Sequence, residues 1–232
     1  MSLNDGHRER LRRRFSKEGL DHFEPHEVLE LLLFYVIPRI DVNPIAHRLI
    51  NRFGSLSRVF EAKYEELLTV EGVGENAALF LTMIPSVCRR YLLSNVQDKG
   101  IVPLSNSALA HEYVAPYFVG RTVETLYVIC LNNAGVPVEC CYISEGTINA
   151  TQVDMRKIVE AVVRNNAVAA ILCHNHPDGI ARPSPEDIAV TRKASEILDS
   201  IGVVLLDHLI LVDGDFVSFH DTIDMETLRK NL

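Results

Sequence analysis

The segment AVAAILCHNHP at residues 167–177, with SPED following at 184–187, constrains the fold more than any other part of the chain. Its first seven residues are apolar and rich in small and β-branched side chains, so they read as a buried strand. Side chains alternate faces along a strand with a rise of about 3.3 Å per residue, which sends His174 and His176 to one side with Cα atoms roughly 6.6 Å apart. Cys173 then points the other way. Pro177, Gly179, Pro183 and Pro185 crowd the residues that follow and predict a turn.

That turn has a chemical consequence. If it brings the chain back to the strand end, Asp187 joins His174 and His176. Two histidines and a carboxylate suit zinc, which takes nitrogen and oxygen ligands and keeps a fourth tetrahedral position for water when the protein supplies three. Water held there becomes a nucleophile near neutral pH. The spacing is unlike the helical His-Glu-x-x-His arrangement, so the site would be borne by a strand. Ser184-x-x-Asp187 is also a helix capping box, with Ser184 as N-cap, Pro185 at the favoured first position and Asp187 at the third. The two readings are compatible, because a helix capped in this way presents its first-turn carboxylate back towards the strand.

At this level of detail the residues resemble a known family. His174-x-His176-x7-Ser184-x-x-Asp187 resembles the JAMM motif of the JAB1/MPN metallopeptidase fold. The longer run HNHPDGIARPSPEDIAVTRKASEILDSIGVVLLDHLILVDGDFVSF is similar to the bacterial RadC family, the UPF0758 proteins, and includes the Leu206-Asp207-His208 triplet. One departure is Asp178, where the family usually has serine.

The resemblance implies a mixed α/β, JAB1/MPN-like (deaminase-like) domain. Its cofactor would be Zn2+ held by His174, His176 and Asp187, and its reaction the hydrolysis of a peptide or isopeptide amide in a peptide or protein substrate. It also implies an upstream glutamate as general base, for which Glu124, Glu139, Glu145 and Glu160 are candidates. Glu160 sits in a stretch, 154–166, where Met155, Ile158, Val159, Val162 and Val163 form one helical face, so it reads as a solvated helix residue. Glu124 opens the apolar run LYVICL and matches the motif position, which makes it the assigned base. Ser184 would donate a hydrogen bond to the tetrahedral oxyanion, a contribution of about 3 kcal/mol in other enzymes. His208 and Asp207, between two apolar runs, read either as groups that orient the ligands from behind or as satisfied core residues.

The chain divides near residue 100. Up to residue 93 the pattern is helical, in HEVLELLLFYVI, NPIAHRLINRF, SLSRVFEA, EELLTV and ENAALFLTMIPSVCRRYLL, with starts at Pro44 and Ser55 or Ser57 and breaks at Pro38, Gly54 and the Gly72-Val-Gly74 turn. Residues 94–107 are polar with Gly and Pro and read as a linker. From 108 to 232 strands and helices alternate, which predicts a mixed α/β domain. A chain of 232 residues with 47% hydrophobic content can fill two such cores. No apolar run approaches the roughly 18 residues needed to span a bilayer, and the N-terminus has no secretory core, so a cytoplasmic protein is expected. The five cysteines show no C-x-x-C spacing and read as free, mostly buried thiols.

The helical part raises a second possibility. LLTVEGVGENAALFL resembles a helix-hairpin-helix element, whose backbone N–H groups can hold a DNA phosphate. Glu71 and Glu75 stand where a phosphate binder favours Lys or Arg. Residues 1–93 hold 13 Lys+Arg and 13 Asp+Glu, so the net charge of -8 lies entirely beyond them. Arg8, Arg10, Arg12, Arg13 and Arg14 form a basic cluster that reads as a solvated face or flexible arm, or as a weak DNA contact. Two classes of function therefore stand: a zinc-dependent amide hydrolase, and a DNA-associated repair accessory protein whose metal site is structural or vestigial.

Overall fold

The computed structural model describes residues 3–98, 100, 102–146, 153–177, 179, 182–212 and 214–222. It divides into two compact units, Met1–Cys88 and Arg89–Leu232.

The first unit is helical. α1 (Leu3–Glu18), α2 (Pro25–Leu33), α3 (Asn43–Phe53), α4 (Leu56–Glu61) and α5 (Tyr64–Leu68) precede a long α6 (Glu75–Asp98), of which the part up to Cys88 belongs to this unit. The expected starts recur: Pro44 lies in the first turn of α3, and Ser55 caps α4 by accepting the backbone N–H of Arg58. The core gathers Leu29, Leu33, Ile45, Leu49, Val59, Leu67 and Leu81, spaced to give each helix one apolar stripe. Between α5 and α6, Gly72 has φ +91°, and a Cβ there would stand 2.8 Å from the Ile45 side chain, so only glycine fits the turn.

Two expectations change. The basic N-terminal stretch is a helix, not an arm, and two of its arginines are engaged within the unit. Arg8 donates to the carbonyls of Ile37 and Ile40, while Nη1 of Arg14 donates to both carboxylate oxygens of Glu27, at 2.8 and 3.0 Å. The linker reading of 94–107 also yields at its start, because α6 runs on to Asp98. SNVQD is polar, but nothing in it stops a helix until Gly100 removes the conformational preference.

The second unit is a mixed α/β layer structure. α7 (Ser107–Phe118) leads into β1 (Thr125–Leu131) and β2 (Pro137–Glu145), then α8 (Met155–Arg164), β3 (Ala169–Asn175), α9 (Pro185–Ser200), β4 (Val204–Val212), β5 (Asp215–Ser218) and α10 (Phe219–Thr222). The sheet runs β2-β1-β3-β4-β5, and only β3 and β4 are parallel. That parallel pair needs a crossover, and α9 supplies it. Alternation divides the core in two. Leu126, Val128, Ala170 and Leu172 face α8 and α9, while Tyr127, Ile129, Ile171 and Cys173 face the α7 side. Cys173 and His174 thus lie on opposite faces, and the five cysteines are free thiols.

One irregularity sets up the site. The β3–β4 ladder pairs Ala170 with Leu205 but Ile171 with Asp207, which leaves Leu206 as an extra residue. The bulge reverses the parity of β4 beyond it. Leu205 and Ile210, five apart, consequently share the α9 face, and His208 shares that face with Ile210.

Candidate metal centre

His174 is the penultimate residue of β3, and His176 follows just past its end, its N–H held by the carbonyl of Leu211 at 2.9 Å. Both rings project to the α9 face. Asp187 arrives from the first turn of α9 through the capping box read in the sequence. Ser184 Oγ accepts the Asp187 N–H at 3.1 Å, and the Asp187 carboxylate accepts the Ser184 N–H at 2.8 Å. The Ser184 hydroxyl in turn donates to Asp187 Oδ2 at 2.6 Å. One oxygen of Asp187 is thereby held by the cap. Oδ1 is left facing His174.

The three side chains converge as expected. The Nε2 atoms of His174 and His176 are 2.9 Å apart. Asp187 Oδ1 lies 3.1 Å from His174 Nε2 and Oδ2 lies 3.5 Å from His176 Nε2. Zinc held tetrahedrally at about 2.0–2.2 Å from nitrogen and oxygen needs ligand atoms about 3.3–3.6 Å apart, close to this spacing. The site is closed from behind and open in front, with His174 and Asp187 buried and the His176 side chain 15% exposed. Two imidazole nitrogens and a carboxylate turned towards one point need a shared positive charge, and the donor set suits a metal ion. Burial alone would raise the Asp187 pKa. Hydrogen bonds with His174 and His176 outweigh it and hold the carboxyl well below its usual range.

Of the four candidate bases, Glu124 alone lines the cavity beside His176. That cavity, of about 500 Å³, is also bordered by Thr122, Val123, Gly146, Pro177 and Gly179. In the β1–β3 ladder Leu126 pairs with His174; continuing that register by two residues sets Glu124 opposite His176 on the same face. Glu145 pairs instead with Arg121 at 3.7 Å. Glu139 and Glu160 border a separate cavity by the outer strand β2 and α8.

Two residues have roles in this arrangement that the sequence does not reveal, Gly179 beyond its place in the turn. Asn175, between the histidines, points away from them and clamps the chain that carries Glu124. Its Oδ1 accepts the Thr125 N–H at 2.8 Å, and its Nδ2 donates to the carbonyl of Val123 at 3.2 Å. A buried amide in an otherwise apolar strand is the signal that could have found it. Gly179 is the second, since a Cβ there would stand 2.7 Å from His176 Cβ. The serine departure at Asp178 lies outside the described residues.

Behind the site, His208 is fully buried. Its Nε2 lies 2.8 Å from His174 Nδ1, its Nδ1 lies 2.6 Å from Thr191 Oγ1, and its ring stacks on Phe219. Burial, reinforced by the neighbouring histidines, pushes its pKa well below the usual value. Asp207 turns away and accepts from Ser218 Oγ and the His220 N–H at 2.6 and 2.8 Å, which ties the chain after β5 to β4.

A strand-borne His-x-His pair facing a helix-borne Asp, in a domain of helices layered on a mixed sheet, defines a JAB-type domain. The comparison of sequences agrees, with residues 104–225 matching the family described as RadC-like JAB domain. A UPF0758 protein of Fusobacterium nucleatum is 37% identical over 93% of this chain and 95% of its own length. One from Ruegeria pomeroyi is 33% identical over 92% and 94%, and one from Rhodobacter capsulatus 34% over 90% and 97%. The chain belongs to the RadC family, the UPF0758 proteins.

Proposed function

We propose that the protein is a zinc-dependent hydrolase that cleaves peptide or isopeptide amide bonds. One observation carries this reading: His174, His176 and Asp187 converge beside a cavity that is lined by His176 and by Glu124, the residue before β1. Zinc at His174, His176 and Asp187 would supply Lewis-acid activation of water at neutral pH. Glu124 takes a proton from the attacking water at its carboxylate. The hydroxyl joins the carbonyl carbon, the C–N bond breaks, and Glu124 returns the proton to the leaving nitrogen. Asn175 keeps the Glu124 segment at the working distance. Ser184 aims Asp187 through its hydrogen bond to Oδ2, and the same hydroxyl stabilises the oxyanion once it turns from the carboxylate.

The test is hydrolysis of amide-linked peptide libraries by the zinc-loaded chain beside Glu124→Gln. Turnover by the parent that Glu124→Gln abolishes, with zinc content unchanged, supports the roles. Undiminished turnover in Glu124→Gln removes Glu124 from the mechanism.

DNA association through the helical unit is the second reading, favoured by the glycine turn between α5 and α6. Arg8 and Arg14 weigh against it because their guanidinium groups are bonded within that unit. Absence of a mobility shift at low salt would leave it without a physical basis.

A further inference from the structure

The hydrogen bonds behind the site determine which nitrogen of His174 carries its proton. The chain of contacts starts on α9, where Thr191 Oγ1 lies 2.6 Å from the backbone carbonyl of Asp187. A carbonyl oxygen only accepts, so the single hydroxyl proton of Thr191 is spent there. The same oxygen lies 2.6 Å from His208 Nδ1, and with its proton committed it can only accept. His208 must therefore bear a hydrogen on Nδ1. The His208 ring is fully buried against Phe219, and its two nitrogens meet only Thr191 and His174, so no carboxylate is there to support a charge; the neutral ring has one such hydrogen, which leaves Nε2 as a lone pair. That lone pair sits 2.8 Å from His174 Nδ1, which must then be the donor. His174 Nε2, directed at His176 and Asp187, is the nitrogen left for a metal.

We propose that Thr191 and His208 are positioning residues that hold the His174 proton on Nδ1 and so reserve Nε2 for the ion. The proposal rests on the metal-site reading above and adds to it the device that prepares one ligand before metal arrives. Metal-bound histidines commonly donate the second ring N–H to a carboxylate, carbonyl or water. Here the acceptor is a second imidazole, and its own tautomer is set by a threonine one helical turn from the Asp187 ligand. The bulge at Leu206 is what makes the relay possible, because without it His208 would face the α7 side of the sheet. Thr191 is fully buried, as is His208, so water does not offer a competing partner.

The test uses the full chain and zinc alone, with two readouts. Nitrogen NMR of the histidine rings in the metal-free protein should show His208 and His174 each protonated on Nδ1. Zinc affinity, measured by competition with a chromophoric chelator, should fall about ten- to a hundred-fold in Thr191→Val and return in Thr191→Ser, which restores the hydroxyl. A His208 ring protonated on Nε2, or Thr191→Val binding zinc as tightly as the parent, would overturn the relay. If Thr191→Val does not fold, the NMR of the parent decides. A parent chain that binds no zinc overturns the site reading itself, and this shows before any variant is compared.

Discussion

Ser184→Ala separates the capping role of the serine from any later role in chemistry. The substitution removes two interactions. The first is the N-cap bond from the Asp187 N–H, whose loss typically costs about 1 kcal/mol. The second is the hydroxyl bond to Asp187 Oδ2 at 2.6 Å, a charge-assisted contact of roughly 1.5–3 kcal/mol. Oδ2 keeps the Ser184 N–H at 2.8 Å, so the lower end of that range applies. The sum, about 2.5 kcal/mol, converts to a fall in melting temperature of roughly 5–10 °C for a chain of this size. Calorimetry in chelating buffer reads this without any contribution from zinc. Ser184→Thr, which keeps the hydroxyl, should melt near the parent. An Ser184→Ala chain that melts within a degree of the parent would refute the claim that this hydroxyl holds Asp187.

Other outcomes follow from the same contacts. Asn175→Ala frees the 123–125 segment and should lower hydrolysis about ten-fold or more while zinc content stays at the parent level, read by turnover beside metal analysis. Gly179→Ala forces a Cβ to 2.7 Å from that of His176, so zinc affinity should fall while stability in chelating buffer shifts by no more than about 1 kcal/mol. Burial raises the phenol of Tyr113 to about 12 and pushes those of Tyr117 and Tyr127 upward as well. A neutral phenol kept in the fold stabilises fully below the unfolded value near 10 and less as pH rises towards 12. Denaturant titrations should therefore show stability falling across that window, with the near-ultraviolet phenolate signal of these residues appearing above it.

The candidate metal-binding triad was legible because its geometry is local. A strand end places two histidines, and a capping box places one carboxylate; both follow from spacing over fourteen residues. Glu124 came from the motif resemblance, and its place beside His176 depends on the antiparallel register of β1 with β3, which spacing alone does not reveal. His208 remained ambiguous for a related reason. VVLLDHLILV is apolar nearly throughout, so alternation could not show that Leu206 is bulged and that His208 faces α9. Thr191 gave no signal, since a threonine within a helix is ordinary until its hydroxyl meets a histidine 17 residues away. The cluster read as a solvated face or flexible arm keeps Arg10 and Arg13 exposed on a helix, and the engagement of Arg8 and Arg14 was not legible because their partners, the carbonyls of Ile37 and Ile40 and the carboxylate of Glu27, come from later segments.

Metal content of the purified chain beside His176→Ala tests the centre most directly. Removing His176 takes one nitrogen from the three-residue set, while its 15% exposed side chain contributes little to the core. One zinc per parent chain and a near-complete loss in a folded His176→Ala is the expected result. Equal zinc in both would contradict the site.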